Sequence, residues 1–113
     1  MPQYMLLLYD NSSATRKLSP EEMQKATEKY IAWIKKPFTK DSKRLTQDAG
    51  KVMRGHGAGQ PRTTDGPYSE TKEVLAGYYT IEAASYDEAV KRTLDHPHLE
   101  YGGTIELRQV WEM

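Results

Sequence analysis

The chain has 113 residues and no cysteine. Disulfides, thiolate catalysis and cysteine-ligated zinc are therefore excluded outright. It also lacks net charge, because sixteen Lys and Arg balance sixteen Asp and Glu. That balance removes the broad attraction to nucleic acid or an anionic membrane. The densest basic cluster, Lys40 to Arg44, is itself interrupted by Asp41. The apolar run Tyr4 to Tyr9 is far too short to span a bilayer and lacks the charged flank of an export signal. No nucleic-acid partner and no membrane are expected, and the cytoplasm is the expected compartment. Missing too are a Gly-x-Gly-x-x-Gly stretch, a P-loop, a Gly-x-Ser-x-Gly elbow and a His-Glu-x-x-His pair. Nucleotide-driven chemistry and serine hydrolysis lose most of their support, and neither a structural metal nor an organic cofactor is expected.

What is present is a clear pattern of elements. Tyr4-Met5-Leu6-Leu7-Leu8-Tyr9 is apolar on both strand faces, as a strand at the centre of a sheet would be. Ser19-Pro20-Glu21-Glu22 announces a helix: serine caps, proline suits the first helical position, and Glu22 reaches back to the cap. Met23, Ala26, Tyr30, Trp33 and Ile34 follow at helical spacing, and Pro37 predicts an end near Lys36. Residues 38–63 carry few apolar side chains and many glycines. Short strands or a hairpin are expected around Leu45 and Lys51 to Arg54, then a loop from Gly55 to Pro61.

Asp65-Gly66-Pro67 reads as a turn. From Gly77 to Ala83 the residues alternate, with Tyr79, Ile81 and Ala83 on one face and Tyr78, Thr80 and Glu82 on the other. Ser85 to Glu88 repeats the capping signal, opening a helix expected to turn Tyr86, Ala89, Val90 and Leu94 inward. Gly102-Gly103 leads into a last strand, Thr104 to Trp111. The order β-α-β-β-α-β is the ferredoxin-like pattern of an α+β domain, with both helices on one sheet face. A central strand that is apolar on both sides would leave an exposed apolar patch on the other face. A homodimer through that helix-free face is the economical expectation.

Several stretches together resemble the YCII-related family, in its DGPF-motif form. They are Thr64-Asp65-Gly66-Pro67-Tyr68-Ser69-Glu70-Thr71-Lys72-Glu73, Leu75-Ala76-Gly77-Tyr78-Tyr79, the opening Tyr4-Met5-Leu6-Leu7, the cap Leu18 to Glu22, and Gly102 to Arg108. The resemblance covers nearly the whole chain. It implies one domain over 1–113 that pairs into a dimeric α/β barrel, and it implies no assigned reaction. Tyr68 stands where phenylalanine is usual. Relatives of the YciI type carry a histidine on the first helix, proposed to work with an aspartate. Glu21 to Lys36 contains none, so that mechanism does not transfer.

The candidate site residues each have a plain alternative. Asp65 either caps its own turn or stands at a barrel mouth as a base. Gly66, Pro67 and Tyr68 would shape that mouth, with Tyr78, Glu106 and Arg108 lining the interior as ligand-binding groups. His96-Pro97-His98 lies at a helix end. His96 there would favour the helix dipole, and His98 is a second candidate for catalysis. His56, between glycines, reads as solvated. Two functions follow. One is a cofactor-free isomerase or lyase-like enzyme moving protons on an unknown small organic ligand. The other, from the resemblance, is a non-catalytic regulatory module linked with alternative sigma factors.

Overall fold

A computed structural model describes residues 1–11, 18–48, 50–55, 57, 59–65 and 73–112. The expected elements Gly66, Pro67, Tyr68 and His56 lie outside the described residues, as does the turn chemistry after Asp65. Strand β1 (Gln3–Asn11) leads to helix α1 (Pro20–Ile34) and strand β2 (Thr39–Arg44). Strands β3 (Lys51–Arg54) and β4 (Arg62–Asp65) precede the long β5 (Glu73–Glu82). Helices α2 (Tyr86–Thr93) and α3 (Pro97–Glu100) then lead to β6 (Thr104–Gln109).

Four strands form one sheet in the order β2-β5-β1-β6, and every neighbour in it is antiparallel. That order is compatible with the ferredoxin-like arrangement once β3 and β4, which among the described residues pair only with each other, are set aside as an inserted hairpin. The expected hairpin in 38–63 thus resolves into two features. Thr39–Arg44 is an edge strand of the main sheet, and Lys51–Arg54 pairs with a strand, Arg62–Asp65, that no apolar alternation announced.

The caps form as the sequence requires. Ser19 Oγ accepts from the Glu22 backbone N–H at 3.2 Å, and Glu22 Oε1 accepts from Ser19 N–H at 3.3 Å. Ser85 Oγ likewise accepts from Glu88 N–H at 3.2 Å. Both helices cover the sheet face that carries Tyr4, Leu6, Leu8, Tyr79 and Ile81, and Trp33 and Ala89 complete this core. Trp33 stands edge-on to Phe38 and Tyr79, each with ring centroids 5.4 Å away.

Helix α2 corrects one expectation. Ala89 and Thr93 face inward, whereas Val90 and Leu94 are 48% and 67% exposed. Small residues win the inner face because they let the helix lie close to the sheet, and Thr93 satisfies its hydroxyl on the Ala89 carbonyl at 2.7 Å. Tyr86 lies at the margin, half exposed, with its ring edge-on to Tyr4 and its oxygen accepting from Gln109 N–H. Trp111 falls beyond the end of β6 and is exposed.

Candidate functional site

The most organised polar group is built around His98, on the helix-covered face. Pro97 opens α3 at a position where no backbone N–H is needed. His96, the residue before it, caps α3: its Nδ1 accepts from the His98 backbone N–H at 3.0 Å. The His98 carbonyl accepts from Gly103 N–H at 2.9 Å. Both backbone groups of His98 are thus anchored, and the ring has a fixed direction. It lies against Gly103, where any Cβ would collide with the imidazole. Glycine is needed there for room rather than for backbone angle. Its neighbour Gly102 is the one that adopts a positive φ, of 89°.

The ring makes two hydrogen bonds that determine its protonation pattern. Nε2 lies 2.8 Å from the Tyr9 carbonyl oxygen. A carbonyl only accepts, so Nε2 carries the hydrogen. Nδ1 lies 2.8 Å from the Tyr30 hydroxyl. In the neutral ring Nδ1 is therefore bare, and Tyr30 donates to it. Asp10 Oδ1 stands 3.7 Å from Nε2, beyond hydrogen-bond length. Burial, and next the Asp10 carboxylate, push the Tyr30 phenol well above its usual range, so it stays protonated at neutral pH.

His96 is different. It is 1% exposed, among the rings of Trp33, Tyr79 and Tyr30. Burial, and then the neighbouring His98, lower its pKa from 6.5 to about 4. This corrects the expected role at a helix dipole, because His96 is an uncharged cap inside the aromatic core. With Nδ1 accepting, its hydrogen is on Nε2, which has no hydrogen-bond partner among the described residues and sits among aromatic rings, which take an N–H weakly.

Beside His98 and Tyr30 a cavity of about 440 Å³ opens between α1 and the sheet. Its α1 wall includes Met23, Ile31 and Ile34, and Asp10, Arg44 and Tyr101 also line it. The inward stripe expected for α1 is therefore divided. Ala26 and Trp33 are buried in the core, while Met23 and Ile34 stay 48% and 41% exposed over this space.

The family profile of the YCII-related domain matches residues 2–113. The chain belongs to the YCII-related family. It is also similar to an uncharacterised protein of Rhizobium meliloti (strain 1021), at 34% identity over 92 residues, covering 77% of this chain and 73% of that protein.

The remaining site residues of this YCII-related chain fall elsewhere. Tyr78 and Glu106 both pair with Leu7, from opposite sides, and Arg108 pairs with Met5, so all three belong to the face that no helix among the described residues covers, the helix-free face, although Tyr78 also borders the cavity. They are held separately. Tyr78 donates to Asp41 Oδ2 at 2.9 Å, whereas Glu106 accepts from the Tyr9 hydroxyl at 3.1 Å and lies 3.5 Å from Arg108. Asp65 ends β4 on the separate hairpin, with its side chain 80% exposed and ion-paired to Lys51. Within one chain Asp65 thus contacts neither the His98 group nor the helix-free group.

Of the expected residues, His98 and Tyr78 line the cavity; His98 is the one bonded to Tyr30 there, and its partners Tyr30 and Asp10 were not anticipated. The available signals were the His-Pro-His sequence and the adjacent Gly102-Gly103, which together mark a ring packed under a tight turn. Among the described residues no group of three or more His, Asp or Glu is placed to hold a metal, and no helix is long and apolar enough to cross a membrane.

Proposed function

We propose that this YCII-related domain binds a small organic molecule in the cavity beneath α1 and moves a proton on it without a cofactor. The observation that carries the reading is the His98 ring, fixed between the Tyr9 carbonyl and the Tyr30 hydroxyl at the cavity wall. Tyr30 Oη takes a proton from a carbon next to a carbonyl while passing its own proton to His98 Nδ1. The ligand becomes an enolate, Tyr30 stays neutral, and His98 becomes an imidazolium stabilised by Asp10. Return of the proton through Tyr30 to a different carbon gives an isomer, and loss of a leaving group from the enolate gives elimination. Cytoplasmic location is part of the proposal.

The test is proton exchange in D2O, followed by NMR, on cyclohexanone, a β-keto acid and an unsaturated lactone. Exchange next to the carbonyl is expected, with a loss of about 10²-fold or more in His98→Asn, the usual contribution of a positioned acid–base group. Exchange absent from all three compounds, or unchanged in His98→Asn, would sink the reading.

A homodimer is proposed for the other face. Its observation is the row Met5, Leu7 and Tyr9 on the central strand, which no helix among the described residues covers. A second copy there forms a barrel, with Tyr78, Glu106 and Arg108 between the subunits.

A further inference from the structure

The cavity beneath α1 is electrically lopsided, and the proton-transfer chemistry uses only one end of it. At that end stand His98, Tyr30 and the Asp10 carboxylate. At the other stands Arg44, the last residue of β2. Arg44 pairs with Gly77, which pairs in turn with Leu8, so the three form one row on the helix-covered face. Gly77 puts no side chain into that row. A Cβ there would lie 2.6 Å from the Lys43 carbonyl, so the close approach of β2 to β5 requires glycine. The gap between Leu8 and Arg44 spans two strand spacings, roughly 10 Å.

Arg44 forms no ion pair with a described residue. Its charge is nonetheless near enough to act on the Tyr30 phenol, opposing the effect of Asp10. Met23, Ile31 and Ile34 give the same cavity an apolar wall. A guanidinium is a planar fork suited to a carboxylate, and this one lines the cavity without an ion-pair partner among the described residues. Asp10 repels a negative group from the His98 end, so the two charges fix one orientation.

We infer that the ligand is a small organic acid whose apolar ring or chain lies against Met23, Ile31 and Ile34. Its carboxylate is held by Arg44, and its reactive carbon faces Tyr30 and His98. This rests on the cavity being the site of the proposed chemistry, and it names the class of molecule that enters.

The experiment uses benzoate, cyclohexanecarboxylate and hexanoate beside their uncharged amides. Binding is measured by calorimetry and by the methyl NMR signal of Met23, assigned from Met23→Leu. The carboxylates are expected to bind about tenfold tighter than the amides, the scale of a charge-assisted pair. Arg44→Gln should abolish that preference while leaving amide binding unchanged, and Arg44→Lys should retain part of it. His98→Asn should keep the preference. Equal binding of acids and amides, a preference that survives Arg44→Gln, or no shift of Met23 with any carboxylate at millimolar concentration overturns the inference. A carboxylate preference in a protein that exchanges no substrate protons would support the acid site and remove the proton-transfer reading, so the two fail separately.

Discussion

The two faces of the β2-β5-β1-β6 sheet use the same strands and many of the same residue types, with opposite consequences. On the covered face His96 is surrounded by rings and loses its charge, and Tyr30 is pushed up chiefly by burial. On the helix-free face Tyr78 is exposed to solvent at its hydroxyl, and its pKa rises chiefly through its hydrogen bond to Asp41. Alternation along β5 sends Tyr79, whose pKa burial raises, into the low-dielectric aromatic cluster and its neighbour Tyr78 into a solvated polar network. Burial, not residue type, decides which of these polar groups are held away from water.

The largest test of this contrast is Trp33→Ala. It removes a ring 3% exposed and in contact with Tyr79, Phe38 and His96. Urea denaturation should show a loss of about 3–5 kcal/mol, the usual cost of a large aromatic truncation in a core. A loss below about 1 kcal/mol would mean that the covered face is not where stability resides.

The next effect is one of pH. The folded pKa of His96, about 4, is depressed from 6.5. Below pH 6.5 the unfolded chain takes up a proton that the folded chain refuses. The contribution is fully present above pH 6.5 and is lost as pH falls toward 4, by roughly 3 kcal/mol in all. His96→Asn retains a side-chain acceptor for the His98 N–H and should lose this part of the acid sensitivity. Denaturation curves at several pH values, compared between the two proteins, measure the difference. Identical pH dependence would show that His96 titrates normally.

The smallest effect on folding is expected on the uncovered face. Leu7→Lys should cost the single chain only about 1 kcal/mol, because Leu7 is half-buried there. The same change should abolish association in sedimentation at micromolar concentration. A parent protein that sediments only as a monomer would break the proposed pairing.

Much of the fold was legible because it rests on local rules. Ser19-Pro20-Glu21-Glu22 and Ser85 to Glu88 announced both longer helices, and the alternation through Tyr79 and Ile81 announced which face of β5 is buried. Strand β2 was announced only loosely, as a short strand around Leu45, since Thr39–Arg44 reads Thr-Lys-Asp-Ser-Lys-Arg, with no apolar alternation. It is a strand because the edge of β5 supplies hydrogen-bond partners. The inner face of α2 was misread for a related reason. Val90 and Leu94 have the greater hydrophobicity, but Ala89 and Thr93 have the size that fits against the sheet. At the candidate site, His98 was noticed and its partners were not, because Tyr9, Asp10 and Tyr30 lie between 68 and 89 positions away from it in the chain.

The sequence by itself determined the absence of thiol chemistry, the capped helix starts, the central apolar strand and the membership in an α+β pattern. Each depends on composition or on neighbours a few residues apart. Only the tertiary structure decided that His96 is uncharged, that His98 carries its hydrogen on Nε2, and that Arg44 shares a cavity with Tyr30. Those outcomes depend on desolvation and on hydrogen-bond partners from distant segments, and neither exists until helix α1, the His96–Gly103 turn and strand β1 are packed together.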